Sequence, residues 1–246
     1  MARANRHVLP GHVWHITHRC HKQEFLLKFA RDRKRWVHWL YEARRRYGLS
    51  VLNYTVTSNH IHLLVRDGGK SELPASMQLT AGCVGQEYNR RKSRKGAFWE
   101  DRYHATAVAT DEHLVQCLVY IDLNMVRAGA VSHPGDWPES GYAELQAMRQ
   151  RYAVLDIPAL MELLDIADHA ELVTQRQAWV DQALAAGLGK EAKDSRWTGG
   201  IAVGSYDFVE SVQLGLGYSA IGRSIVEIGG SSVLREDETG YGGILT

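Results

Sequence analysis

Cysteine is scarce: Cys20, Cys83 and Cys117 are the only three in 246 residues, far apart and with no C-x-x-C pair. Neither a disulfide framework nor a cysteine zinc site is indicated, and the three are expected to be small buried hydrophobes. Five prolines leave no proline-rich linker, and the 23 glycines follow no collagen-like period. No internal repeat of solenoid length is visible, which sets aside arrays and propellers. No apolar run approaches the roughly 18 residues that would span a bilayer, and the opening MARANRHVLPGHVW lacks the apolar core of a signal peptide. These absences point to a soluble, cytoplasmic, globular protein with no membrane partner.

What is present is a charge split hidden by a net charge of +1. Residues 1–105 hold 20 basic and 8 acidic side chains, whereas residues 106–246 hold 9 and 20. A lysine and arginine excess of this size in one segment suits a polyanion, and nucleic acid is the leading candidate.

Hydrophobic periodicity predicts the element order. Residues 12–20 alternate as a strand, with Trp14 and Ile16 on one side and His15, Thr17 and Arg19 on the other. Residues 25–47 form a basic amphipathic helix, and 49–56 and 60–66 read as two strands joined by a turn at Thr57, Ser58 and Asn59. A second helix runs from Ser71 to about Arg91, a strand begins near Tyr103, and Asp111 opens a third helix that reaches about Arg127. The expected class is α+β: a ferredoxin-like βαββαβ domain over residues 1–150 with an antiparallel sheet whose first and third strands are central. Residues 151–246 are expected to be an acidic, mainly helical C-terminal extension, with a polar end, REDETGYGGILT, free to move.

Two small constellations could carry chemistry. His60 and His62 are two apart on a strand and so share a face where two imidazoles can bind one metal; alone, H-x-H more often marks two histidines on a half-exposed strand. Tyr120 and Asn124 lie one helical turn apart, presenting a phenol and an amide together, although a core tyrosine beside a helix asparagine gives the same spacing.

Read together, HITHRC (15–20), TSNHIHLLV (57–65), FWEDRYHATAV (98–108) and YIDLNMVRAGAV (120–131) resemble the single-tyrosine HUH transposases, and more closely the REP-associated tyrosine transposases. The resemblance covers roughly residues 9–150 in order, and IAVGSYDFVESV (201–212) and SSVLRED (231–237) also look like family segments. One departure is Met125, where the family usually has proline. The resemblance implies a metal-dependent DNA endonuclease and strand transferase that cleaves and rejoins single-stranded DNA beside REP-type palindromic hairpins through a 5′-phosphotyrosine. Tyr120 would be the nucleophile, and His60, His62 and Asn124 would hold a divalent Mg2+ or Mn2+. Location with the nucleoid and action as a single chain, not as a dimer, are also implied.

Candidate DNA contacts are His15, Thr17 and Arg19 on the first strand, the cationic run Arg90, Arg91, Lys92, Arg94 and Lys95, and Trp99 with Arg102. Arg44, Arg45 and Arg46 read as a solvated helix end. The competing expectation is a hairpin DNA- or RNA-binding protein that uses the same sheet without the tyrosine chemistry, although strand three, HIHLLVR, lacks the aromatics of an RNA-recognition strand. A zinc hydrolase or deaminase is disfavoured, since neither H-E-x-x-H nor H-x-E with P-C-x-x-C occurs.

Overall fold

The alternating VWHITHR forms β1 (Val13–Arg19), and the computed structural model describes residues 9–147, 152–189 and 194–237. Helix α1 (Ala30–Tyr47) starts later than its apolar pattern suggests, because residues 21–28 are turns, and it ends where Gly48 takes a φ of 74°, a left-handed turn that suits glycine. Strands β2 (Ser50–Val56) and β3 (His60–Arg66) form the expected hairpin, followed by α2 (Glu72–Arg91) and β4 (His104–Val108).

Asp111 caps the next helix by accepting the backbone N–H of His113 at 2.9 Å. That helix is not continuous to Arg127. It runs as α3 (Glu112–Asp122), breaks at Leu123, where ψ is 1°, and resumes as a single turn, α4 (Asn124–Arg127). The break places position 125 in a first helical turn, where proline is tolerated. Met125 instead buries its side chain there.

The sheet runs β2-β3-β1-β4, with β1 and β3 inside and every pair antiparallel, the ferredoxin-like order. Thr17 faces His62 on one side and His104 on the other, and Arg19 faces His60. Ile16, Tyr54, Ile61 and Leu63 join Trp36 and Leu40 of α1 in the main core. On the opposite face, Asn53 and Thr55 donate to the Leu118 and Ile121 carbonyls, fixing α3 over β2.

Helices α5 (Gly141–Ala147), α6 (Ile157–Leu164) and α7 (His169–Ala185) follow. Across this segment Leu155, Leu160, Ile166, Leu172 and Val180 are buried. Arg176 of α7 is itself buried and grips Asp122 with two hydrogen bonds of 2.8 and 2.9 Å, while Asn53 donates to the same carboxylate at 2.9 Å. A paired charge at this depth ties α7 to the end of α3.

The rest of the chain contains more strand than its glycine-rich sequence suggested. After α8 (Ser195–Gly199) come β5 (Ala202–Gly204), α9 (Tyr206–Leu216), β6 (Arg223–Ile228) and β7 (Ser231–Glu236). Strand β5 pairs in parallel with β4, and β7 and β6 extend the sheet to seven strands. Sheet pairing therefore crosses the expected division near residue 150. The acidic half also meets the basic half, as in Arg66 with Glu162 at 3.0 Å. Cys20 and Cys117 are buried as expected, Cys83 only partly. Of the terminal segment 235–246 expected to be mobile, Arg235 and Glu236 belong to β7 instead, and residues 238–246 lie outside the described residues. Among the described residues, no helix is long and apolar enough to cross a membrane.

Candidate active site

Strand parity alone sends His60 and His62 to one face, and their partners set the tautomers. Thr57 Oγ1 donates to the His60 backbone carbonyl at 2.8 Å, so toward the ring Nδ1, 2.9 Å away, that oxygen can only accept. The Asn59 amide donates to the Gln23 carbonyl, which turns its oxygen toward the same Nδ1 at 2.8 Å. The proton on His60 is thus drawn to Nδ1, leaving a lone pair on Nε2.

His62 is held from behind. Its Nδ1 lies 2.9 Å from Nε2 of His15, and the two rings stack with planes 5° apart. His15 is fully buried, and desolvation lowers its pKa to about 3, so it is neutral. One proton is shared between His15 Nε2 and His62 Nδ1, and when His62 carries it the His62 Nε2 lone pair points into the cleft.

The two Nε2 atoms face each other at 3.1 Å, and the Asn124 amide nitrogen lies 2.8 Å from His62 Nε2. At this separation either one nitrogen donates a proton to the other or, with both tautomers turned to leave lone pairs, a cation between them relieves the repulsion. Two nitrogens this close could both reach one ion. The amide oxygen and nitrogen of Asn124 exchange places by a flip, so its oxygen can serve as a third donor. These residues fit a divalent ion with mixed nitrogen and oxygen ligands. Asp111, Glu112 and His113 also lie close enough together to share an ion. There, however, Asp111 and His113 bond to each other at 2.6 Å, and the other nitrogen of His113 meets Ser231 at 3.1 Å, as parts of a helix cap.

Tyr120 stands beside the histidines, its ring edge-on to His62 with centroids 5.7 Å apart. Burial pushes its pKa up to about 12, partly offset by the nearby Arg127 guanidinium. Tyr120 lines two cavities. One, of about 310 Å³, is the cleft shared with His60, His62, Asn124, Thr17, Arg19 and Arg102; the other, of about 520 Å³, lies between α3, α7 and α8.

The expected DNA contacts fall in three places. Thr17, Arg19 and Arg102 line the cleft, together with the acidic Glu100 and Asp101. His15 does not reach the surface; it is a support for His62, because α3 and Trp197 cover that end of the sheet face. The run Arg90 to Lys95 lies at the end of α2, away from the cleft: Arg91 pairs with Asp32, Lys92 sits over the Phe29 ring, and Arg94 bonds the Ala97 carbonyl. Trp99 is no open stacking platform, since His18 covers it at 4.1 Å and its indole N–H donates to the Ala81 carbonyl.

Three residues around the site escaped the sequence reading. Trp197 is buried against both His15 and Tyr120, and Arg127 lies 4.2 Å over the Tyr120 ring. His104, opposite Thr17, donates to the Gly200 carbonyl at 2.9 Å and joins the core strands to the C-terminal segment. A tryptophan isolated in the polar stretch KDSRWTGG was the one available signal.

Residues 10–124 match the family described as "Transposase IS200 like". A curated Haemophilus influenzae protein named "Putative REP-associated tyrosine transposase" is 27% identical over 106 residues, 39% of this chain and 60% of that relative. The chain thus matches less than two thirds of the relative's length. A solved structure titled "Structure of the REP associates tyrosine transposase bound to a REP hairpin" shares the fold with a TM-score of 0.50 and 19% identity, covering 63% of this chain and 90% of the other.

Proposed function

We propose that the chain, whose residues 10–124 match the IS200-like transposases, belongs with their REP-associated tyrosine group and is a single-stranded DNA endonuclease and strand transferase acting beside palindromic hairpins. The observation that carries this reading is the convergence of two imidazoles, an amide and a phenol in one cleft.

His60, His62 and Asn124 would hold a divalent Mg2+ or Mn2+, which when bound supplies Lewis-acid polarisation of a phosphate. Thr57 and Asn59 orient His60, and His15 orients His62, so the ligands are set before DNA arrives. Tyr120 Oη attacks the phosphorus, its bond to the preceding 3′ oxygen breaks, and the products are a 5′-phosphotyrosine and a free 3′-hydroxyl. Attack by another 3′-hydroxyl reverses the step and joins strands. Burial keeps the free phenol protonated at neutral pH, so the proton must leave as the new bond forms.

Arg19 and Arg102, both exposed at the cleft, are the residues suited to the phosphates flanking the attacked one. The exposed Arg90, Lys92 and Lys95 lie farther off and suit the backbone of a hairpin stem. Action as a single chain in the nucleoid belongs to the same reading. The test is incubation with single-stranded hairpin DNA from the genome that encodes the chain. A covalent DNA adduct on Tyr120 that forms only with divalent metal is expected; hairpin binding with no adduct under any metal would leave a binding protein.

A further inference from the structure

Tyr120 lines both the cleft of about 310 Å³ and the second cavity of about 520 Å³, so burial alone does not fix where its hydroxyl points. The backbone that carries it is also interrupted three residues later, at Leu123. A nucleophile that must meet phosphorus in line needs both freedoms removed.

Arg127 acts on both. Its guanidinium lies 4.2 Å from the Tyr120 ring centroid, and the same group donates to the Tyr120 backbone carbonyl. A planar cation is well matched to an aromatic face, and its fork lets one nitrogen hold a carbonyl while the plane covers the ring. Trp197 meets the ring at 6.1 Å, and the edges of His15 and His62 approach at 6.0 and 5.7 Å. The imidazoles belong to the rigid sheet, whereas Arg127 follows the helix break and lines the larger cavity. Without the guanidinium, that cavity is the space into which the phenol can turn.

We infer that Arg127 is the positioning residue of Tyr120, clamping its ring and its carbonyl together so that the hydroxyl faces the metal ligands. The inference rests on Tyr120 being the nucleophile. Lysine at 127 would keep the charge but lose the plane, and methionine would keep much of the bulk but lose the donor.

The experiment uses the full chain, with hairpin DNA at saturation and single-turnover adduct formation as the readout. Arg127→Lys and Arg127→Met should slow adduct formation by about 100-fold, the scale of a misplaced reacting group, while hairpin affinity stays at the wild-type value. Guanidinium added to Arg127→Ala should restore a large part of the lost rate, which a merely structural defect would not allow. Fluorotyrosine placed at position 120 gives a reading independent of cleavage: by 19F NMR its ring should be fixed in the wild type and flip rapidly in Arg127→Met. Wild-type rates in both Arg127→Lys and Arg127→Met, or a fall in rate matched by an equal fall in affinity, which would make Arg127 a phosphate contact, would overturn the inference. An unchanged 19F signal would do the same. Absence of any wild-type adduct on Tyr120 would sink the nucleophile assignment, while the 19F signal would still show whether Arg127 fixes the ring.

Discussion

His15 Nε2 and His62 Nδ1 lie 2.9 Å apart across the paired strands β1 and β3, with their ring planes 5° from parallel. The contact is diagonal, because His15 pairs with Leu64 and His62 with Thr17 in the ladder. A buried neutral imidazole thus orients the one that reaches the cleft. Outer partners of this kind typically change metal affinity by about 10- to 100-fold when removed. His15→Leu should weaken Mn2+ binding by that order, measured by calorimetry on metal-free protein. An unchanged affinity would separate His15 from any metal role.

Tyr120→Phe removes one oxygen and leaves the ring contacts with Arg127, Trp197 and His62. Fold and hairpin binding should persist while covalent adducts vanish. Mass spectrometry that maps the adduct to another tyrosine, such as Tyr103, would defeat the assignment.

His60→Ala, His62→Ala and Asn124→Ala should each lower cleavage by orders of magnitude, and EDTA should mimic them. Full activity in excess chelator would refute the metal reading.

Arg176 and Asp122 test how the C-terminal half is held. Arg176→Met leaves the Asp122 carboxylate buried without its guanidinium, a change that commonly costs about 3–5 kcal/mol. A chain cut after Arg151 loses Arg176, Trp197 and β5 together, exposing the β4 edge. That fragment keeps His60, His62, Tyr120 and Asn124 but should aggregate or fold poorly. A urea midpoint for Arg176→Met equal to wild type, or a well-folded fragment by circular dichroism, would contradict this account of the packing.

Alkaline pH offers a check on burial around α5. Desolvation raises the pKa of Tyr142 from 10.0 to about 12. The unfolded chain gives up this proton first, so the stability it contributes is complete below pH 10 and is lost as pH rises toward about 12. The limiting slope is about 1.4 kcal/mol per pH unit. Tyr142→Phe should flatten that part of the stability curve, read from denaturant midpoints between pH 9 and pH 11. The same slope in both proteins would mean that Tyr142 is not protected in the folded state.

Much of the core and of the candidate chemistry was legible in local sequence, because both depend on short-range periodicity. Strand parity alone puts His60 beside His62, and helical spacing alone puts Tyr120 near Asn124 even across the break at Leu123. The ferredoxin-like order follows from alternation in β1 to β4 and from the longer period in α1 and α2. Arg19 and Arg102 were also within reach, as cations flanking strands that carry the site.

Other features depended on contacts between residues far apart in the chain. His15 shares the parity of Arg19, yet one is buried and the other exposed, because α3 and Trp197 cover only one end of that sheet face. The strands after residue 200 were hidden because they are short, glycine-flanked and stabilised by the free edge of β4, a partner 95 residues away in the pairings of Ala107 with Ala202 and Val108 with Val203 that exists only once the sheet has formed. Arg176 reads as one charge on an acidic helix until Asp122 and Asn53 meet it in the interior. Periodicity settles which residues share a face; only the folded chain decides which of those faces is covered, and by what.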